Sequence, residues 1–344
     1  MISKSFNNKS FEEPIPDLSG MSILVTGGTG SFGQAFIETI LKKQKPHRLV
    51  VFSRDEFKQS QMAERYSKED TNCLRFFIGD VRDSARLEMA MLDVDIVIHA
   101  AALKHVPIAE YNPIECINTN VVGAENVIQA AIRNKVSKVM ALSTDKAVNP
   151  TSVMGTTKLL AEKIFVNAPE RSSKDSKNKT KFTVVRFGNV FGSAGSVVET
   201  FHKQIYSGKK ITLTNEDISR YFMSIKTACD LVLDCINLSK GERETPIFIL
   251  KMKKLKIKDI AERMNVALNK KAKLQYQIIG LNRGEKFSES LYTDFESQFI
   301  KEDGDYLIVT KSRQPNKLAV LEKFMSKNEV DTLIKEWLKH GNEV

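Results

Sequence analysis

No stretch of this 344-residue chain approaches the ~18 to 20 consecutive apolar residues needed to cross a bilayer. The opening MISKSFNNKSFEEPIPDLSG also lacks the apolar core of a secretory signal. A cytoplasmic protein is expected, with residues 1–20 as a polar arm. Cysteine is scarce. Cys73, Cys116, Cys229 and Cys235 form no C-x-x-C pair and sit in apolar or mixed sequence, which reads as reduced core thiols. Histidine occurs five times without ligand spacing, so no metal is expected. Aromatics do not interleave with the lysine clusters at 172–181, 251–258 and 270–273, so base stacking has no platform. The formal charge, 52 − 42 = +10, then reads as a lysine-rich solvated surface. Neither nucleic acid nor membrane is expected as a partner.

What is present is a rhythm. Short apolar runs at 22–27, 48–53, 74–80, 95–101, 138–144 and 182–188 alternate with segments of helical period, such as GQAFIETILKK and AENVIQAAIRN. Strands apolar on both faces, separated by helices, imply an α/β fold: a doubly wound parallel sheet over residues 21–188. After 189 the rhythm breaks into ITLT (211–214), FIL (248–250) and two helical stretches, the pattern of a smaller α/β lobe over 189–325 that can exchange elements with the main sheet. A helix closes the chain at 326–344. The polar insert 168–181 reads as a surface loop.

TGGTGSFG (26–33) lies between the first strand and the first helix. There Gly27, Gly30 and Gly33 allow a tight turn and close approach of backbone to a pyrophosphate, with Thr29, Ser31 and Phe32 beside it. This is a dinucleotide site. About 20 residues on, where an acid commonly selects NAD, stand Ser53 and Arg54. A hydroxyl and a guanidinium suit a 2′-phosphate, so NADP is favoured; Asp55 keeps NAD open. Asp80 and Val81, after the third strand, are placed to meet the adenine, or Asp80 simply ends the strand. Ala100 and Ala101 follow the fourth.

STDKAVNPTSVMGTTK (143–158) resembles the active-site segment of a short-chain dehydrogenase/reductase, yet Met154 stands where Tyr-x-x-x-Lys requires a phenol. Taken with GDVRD, HAAALKHVP, NTNVVG, RFGNV and RGEK, the chain from about 20 to about 325 resembles the extended short-chain dehydrogenase/reductases that are nucleotide-sugar 4,6-dehydratases. The likeness is nearest to the UDP-N-acetylglucosamine 4,6-dehydratases of the CapD-like polysaccharide biosynthesis group. The resemblance implies a Rossmann fold and a tightly held, recycled NADP or NAD. It also implies a UDP- or GDP-N-acetylglucosamine substrate and a dimeric or hexameric homo-oligomer. PTSVMG leans towards the members that retain configuration at C5.

In that chemistry the sugar is oxidised at C4, water is eliminated across C5 and C6, and hydride returns to C6. The resemblance makes Lys146 the C5 base, Asp145 the acid for the leaving water and Thr144 the partner of the C4 hydroxyl. A lysine works as a base only when its ammonium is destabilised, as beside a cationic cofactor and a second lysine. Asp145 must hold a proton, which burial favours. With the phenol absent, the hydroxyl proton passes through Thr144 or a water to Asp145. Lys158 would bind the nicotinamide ribose. An isolated Met154 would pack on the core; within this motif it is assigned to the sugar pocket.

Lys104 lies near sugar or cofactor. Asn118 and Asn120 serve the active-site network or cap a helix. In the lobe, Asn189, Ser196, Val197, Arg220, Arg283 and Glu285 are assigned to the nucleotide diphosphate, although each alone reads as a surface polar group. Two rival readings remain. A nucleotide-sugar 4-epimerase has no need of the Asp145–Lys146 pair. A non-catalytic NAD(P)-binding sensor has no reason to keep Thr144, Asp145, Lys146 and Lys158 together.

Overall fold

Strands that are apolar on both faces are satisfied only when helices cover both faces. In this computed structural model, which describes residues 16–67, 72–171, 180–238, 244–270, 273–314, 318 and 323–340, the six apolar runs become strands. They are β1 (Ser22–Thr26), β2 (Arg48–Ser53), β3 (Leu74–Ile78), β4 (Ile96–His99), β5 (Lys138–Thr144) and β6 (Lys181–Phe187). Residues 1–15 of the expected arm and 172–179 of the expected loop lie outside the described residues.

Between the strands run α1 (Ser31–Lys43), α2 (Glu56–Ala63), α3 (Ser84–Ala90), α4 (Val106–Tyr111), α5 (Pro113–Ile117), α6 (Gly123–Arg133) and α7 (Val153–Asn167). Asp55 and Asp83 cap α2 and α3, accepting from Lys58 N at 3.0 Å and Arg86 N at 2.9 Å. A π-helical turn, Asn118–Val122, interrupts the helix that continues as α6.

Among the described residues the main sheet has nine strands; six run in the order β6-β5-β4-β1-β2-β3, and three more from the second half of the chain extend it beyond β6. Strands β1 to β6 are mutually parallel, and the chain reverses its direction of travel between β1 and β4. In such sheets ligands bind outside the carboxyl ends at that reversal.

The second half of the chain builds β7 (Asn189–Val190), α8 (Val197–Tyr206), β8 (Ile211–Leu213), β9 (Ser219–Met223), α9 (Ile225–Leu238) and β10 (Ile247–Leu250). It continues with β11 (Lys254–Lys256), α10 (Ile257–Ala267), β12 (Tyr276–Ile278), β13 (Ile300–Asp303), β14 (Tyr306–Val309) and α11 (Lys327–His340). The FIL run becomes β10 and joins the main sheet parallel to β6, followed by antiparallel β14 and β13. The lobe has its own core. Val198 and Phe201 of α8 and Ile260 and Met264 of α10 meet Val330, Leu333 and Ile334 of α11.

One buried polar knot ties the halves. Arg186 on β6, 1% exposed, donates to Glu162 of α7 at 2.7 Å, to Glu296 at 3.0 Å and to Leu291 O at 2.9 Å. Removing one member of such a set strands a buried charge. Arg186→Leu is therefore expected to destabilise the protein by about 3–5 kcal/mol, read as a lowered urea midpoint.

Candidate active site

The glycine loop is shaped by what glycine lacks. Gly27 has φ +67°, and a Cβ on Gly33 would lie 2.6 Å from Gly27 O. Side chains are thus excluded at Gly27 and Gly33, where β1 turns into α1. Gly30 caps α1 without a side-chain hydrogen bond, and no acid stands in the first turn. The exposed N–H groups and the helix dipole suit a pyrophosphate, so the residues fit a dinucleotide. Thr29 O is held by Gln34 Nε2 at 2.7 Å, and Phe32 stacks on Phe36. Ala100 and Ala101 continue β4 against Thr26, while Thr26 Oγ1 pairs with His99 Nδ1 at 2.8 Å.

Ser53 is buried and accepts from Gln59 Nε2 at 2.9 Å, whereas the Arg54 side chain is 60% exposed, 3.8 Å from Asp80. Asp80 accepts from Arg82 N at 3.0 Å in a local turn. Burial pushes its carboxyl up, but the hydrogen bonds and charge of Arg82, with Arg54, hold it below the usual carboxylate range. Val81 packs in the core.

At the carboxyl end of β5 the chain turns sharply through Asp145–Ala147. Thr144 Oγ1 and Lys146 Nζ both donate to Asp145 Oδ1, each at 3.0 Å. Asp145 has no exposed surface, and its Oδ2 has no hydrogen-bond partner. Lys146 Nζ also donates to Asn189 Oδ1 at 3.2 Å, while Asn189 Nδ2 donates to Tyr221 O. Asn189 thus holds the lysine rather than standing free for a diphosphate. The turn is braced by α7, whose Ser152 cap accepts from Gly155 N at 3.1 Å. A Cβ on Gly155 would collide with Lys146 O.

Lys158, on α7, turns inward and donates to Leu142 O at 2.7 Å. It lines a small interior cavity with His99, Asn120, Ser143 and Glu162. Burial pulls its ammonium down to about 8, against Glu162 and Cys116, which raise it. Burial, then Lys158, pulls His99 down to about 3, so it stays neutral. Met154 is 3% exposed and packs against Ala109 and Cys116, the core position that its residue type suggests. Asn120, aimed by the π-helical turn, accepts from Leu103 N at 2.8 Å and donates to Thr157 Oγ1 at 3.0 Å. It joins the β4 loop to α7 and caps no helix; Asn118 lends its carbonyl to Gly123 N.

Two lobe segments reach this edge. Lys104 Nζ donates to Ala194 O at 2.7 Å, and Ala194 N donates to Ser31 Oγ at 3.0 Å, so the 192–196 loop rests on the glycine loop. Ser196 caps α8 with its Oγ buried and without a partner, beside Val197 in the first turn. The second segment is 283–289. Arg220, 7% exposed, spends its guanidinium on Ser219 O, Phe287 O and Lys286 O at 2.6–3.0 Å, so it staples this segment and offers no open fork. Glu285 accepts from Thr214, Asn282 and Arg220. Arg283 is 90% exposed, 3.7 Å from Glu110. Glu110, unforeseen from sequence, accepts from Val153 N at 2.6 Å at the start of α7. Also unforeseen, Glu289 sits beside Lys146, its Oε1 3.8 Å from Lys146 Nζ and its Oε2 3.1 Å from Lys286 Nζ.

With this geometry in hand, known proteins place the chain. A family model described as polysaccharide biosynthesis protein matches residues 23–311, and the chain belongs to that family. A UDP-N-acetylglucosamine 4,6-dehydratase (inverting) of Campylobacter jejuni is 44% identical over 86% of this chain and 84% of its own length. A UDP-glucose 4-epimerase of Rickettsia bellii is 40% identical over 89% of this chain and 91% of its own. Among solved structures, Pen from Bacillus thuringiensis superposes with a TM-score of 0.85 at 36% identity, over 93% of this chain and 99% of that one. The dTDP-glucose 4,6-dehydratase DesIV from Streptomyces venezuelae, with NAD and TYD bound, gives 0.72 at 17% identity over 94% and 98%. That likeness carries the doubly wound Rossmann fold. Among the described residues no helix is long and apolar enough to cross a membrane.

The Lys158 environment gives a signed expectation. Below about pH 8 the folded protein carries a half-buried ammonium that the unfolded chain carries in water; the penalty fades as pH rises towards 10.5, the ordinary lysine value. Lys158→Met is expected to raise stability near neutral pH by about 1–3 kcal/mol, with the gain vanishing near pH 10.5. Urea unfolding across that pH range reads it.

Proposed function

We propose that this protein is a nucleotide-sugar 4,6-dehydratase, an NAD(P)-dependent hydro-lyase that converts UDP-N-acetylglucosamine to its 4-keto-6-deoxy product for surface-glycan or glycoprotein sugar synthesis. The observation that carries the reading is the Asp145–Lys146 pair. A fully buried carboxyl with one unpartnered oxygen stands 3.0 Å from an amine, at the carboxyl edge of β5 in a fold that fits a dinucleotide. The 44% identity to a protein of that name supports it.

When bound, the nicotinamide supplies oxidation at C4 and reduction at C6. The protein's own groups manage the protons. The C4 hydroxyl proton passes through Thr144 Oγ1 to Asp145, a route that needs no phenol. The ketone acidifies C5, and the Lys146 amine takes the C5 proton and becomes an ammonium. Asp145 returns its proton to the C6 hydroxyl, which departs as water. After reduction at C6, a proton restores C5. If Lys146 returns it on the face it attacked, configuration is retained, the outcome Met154 and its neighbours suggest. Delivery from the opposite face inverts C5, the outcome in the Campylobacter relative's name. Arg54, exposed at the end of β2, supports NADP over NAD.

The Rickettsia relatives make 4-epimerisation the reading to exclude. Incubation with UDP-N-acetylglucosamine in deuterated water separates the two. Dehydration gives a product lighter by a water, with deuterium at C5 and a C5 configuration that can be read directly. Epimerisation gives an unlabelled C4 isomer. Asp145→Asn is expected to lower turnover by about a hundredfold or more; undiminished turnover sinks the proposal. Independently, Arg54→Ala should weaken NADP binding about ten- to a hundredfold, with NAD binding within a few-fold, by calorimetry on the cofactor-stripped protein.

A further inference from the structure

Glu289 is a carboxylate the proposed chemistry does not use. It is 4% exposed, on the segment that Arg220 staples, and 3.8 Å from Lys146 Nζ through Oε1. Its other oxygen, Oε2, lies 3.1 Å from Lys286 Nζ. That ammonium directs its hydrogen bond to Val148 O at 2.6 Å, and Oε2 is left without a donor. A buried carboxylate with an unsatisfied oxygen is costly unless a nearby charge offsets it. Here the compensating charges are two lysines, one on each side.

We infer that Glu289 is a positioning residue that holds the Lys146 side chain against β5, with its carboxylate beside the amine. The inference rests on the reading of Lys146 as the C5 base. When the amine takes the C5 proton, a positive charge appears in a site with little water. A fixed carboxylate at 3.8 Å stabilises that charge as it develops, without any rearrangement. Among the described residues, the titratable groups in contact with Lys146 come from two segments. Asp145 comes from its own turn and Glu289 from the 283–289 segment, with Lys286 behind it, while β7 contributes the neutral Asn189.

The arrangement also gives the lobe a hand in the chemistry. Glu289 reaches the turn only because Arg220 binds the carbonyls of Lys286 and Phe287, and because Thr151 Oγ1 donates to Gly284 O at 3.1 Å. The segment that carries Glu289 is therefore seated by contacts to both β9 and the β5–α7 connection.

The test needs no turnover. The full-length protein is trace-acylated with acetic anhydride at the high-pH plateau, where the amines are neutral and the rate reads how freely each side chain meets the reagent, and modification of Lys146 is followed by peptide mass mapping. Glu289→Gln is expected to raise the plateau labelling rate of Lys146 by about threefold or more, because the side chain is no longer held, with Glu289→Asp in between. Unchanged labelling in a folded Glu289→Gln, or a Glu289→Asp labelled as fast as Glu289→Gln, overturns the inference; if Glu289→Gln fails to fold, Glu289→Asp alone carries the comparison with the wild type. In turnover, Glu289→Gln should slow C5 deuterium incorporation by about tenfold or more, with Glu289→Asp recovering part of the rate. If the wild type dehydrates no sugar nucleotide while the labelling shifts as expected, the proposed function fails and the placement of Glu289 stands.

Discussion

The contact between Lys146 Nζ and Asp145 Oδ1, 3.0 Å long, unites one partly exposed ammonium with a carboxyl that has no exposed surface. Taking such groups out of water costs several kcal/mol per ion unless every charge is met. The surrounding elements meet them. Thr144 donates from β5, Asn189 accepts from beyond β6, and Glu289 approaches from the lobe. Asp145 Oδ2 is left over, with hydrogen-bonding capacity to spend on a ligand. Stability and chemistry draw on the same few atoms.

The same constraint explains local choices along α7. The helix must start close beneath the 145–147 turn, so Ser152 caps it and Gly155 leaves room for the Lys146 carbonyl. Glu110 supplies a second acceptor to the helix start. Met154 then falls in the space between α4, α5 and α7, where an unbranched apolar side chain fills an irregular gap. A phenol at this position would need a partner for its hydroxyl. In the proposed mechanism, proton handling passes instead to Thr144 and Asp145, which the turn already holds together.

The two halves of the molecule meet through polar contacts around the ligand site as well as through shared strands. Lys104 and Ser31 hold Ala194 of the 192–196 loop, and Arg220 holds the 283–289 segment. Gly192 of that loop packs against Trp337 on α11, so the last helix is in contact with the loop that rests on the glycine turn. Each polar link is modest alone, on the order of 1 kcal/mol for neutral hydrogen bonds and more for charged ones. Together they set the geometry of the site without enlarging the hydrophobic core.

Sequence alone determined what depends on neighbours along the chain. Apolar runs with helical spacers dictate a covered parallel sheet, TGGTGSFG dictates a turn with glycine at its tightest points, and Thr144, Asp145 and Lys146 are adjacent however the rest folds. Tertiary structure decided what depends on residues far apart. Arg220 reads as a phosphate clamp by type, yet three carbonyls occupy it. Asn189 reads as a substrate ligand and is engaged by Lys146, and FIL reads as a lobe strand and pairs with β6. Glu289 stands 143 positions from Lys146 (289 − 146) in a stretch with no periodic signal. Periodicity and propensity act over a few residues, whereas the partner of a buried charge is chosen by which surfaces close over it. That choice exists only once the chain has folded.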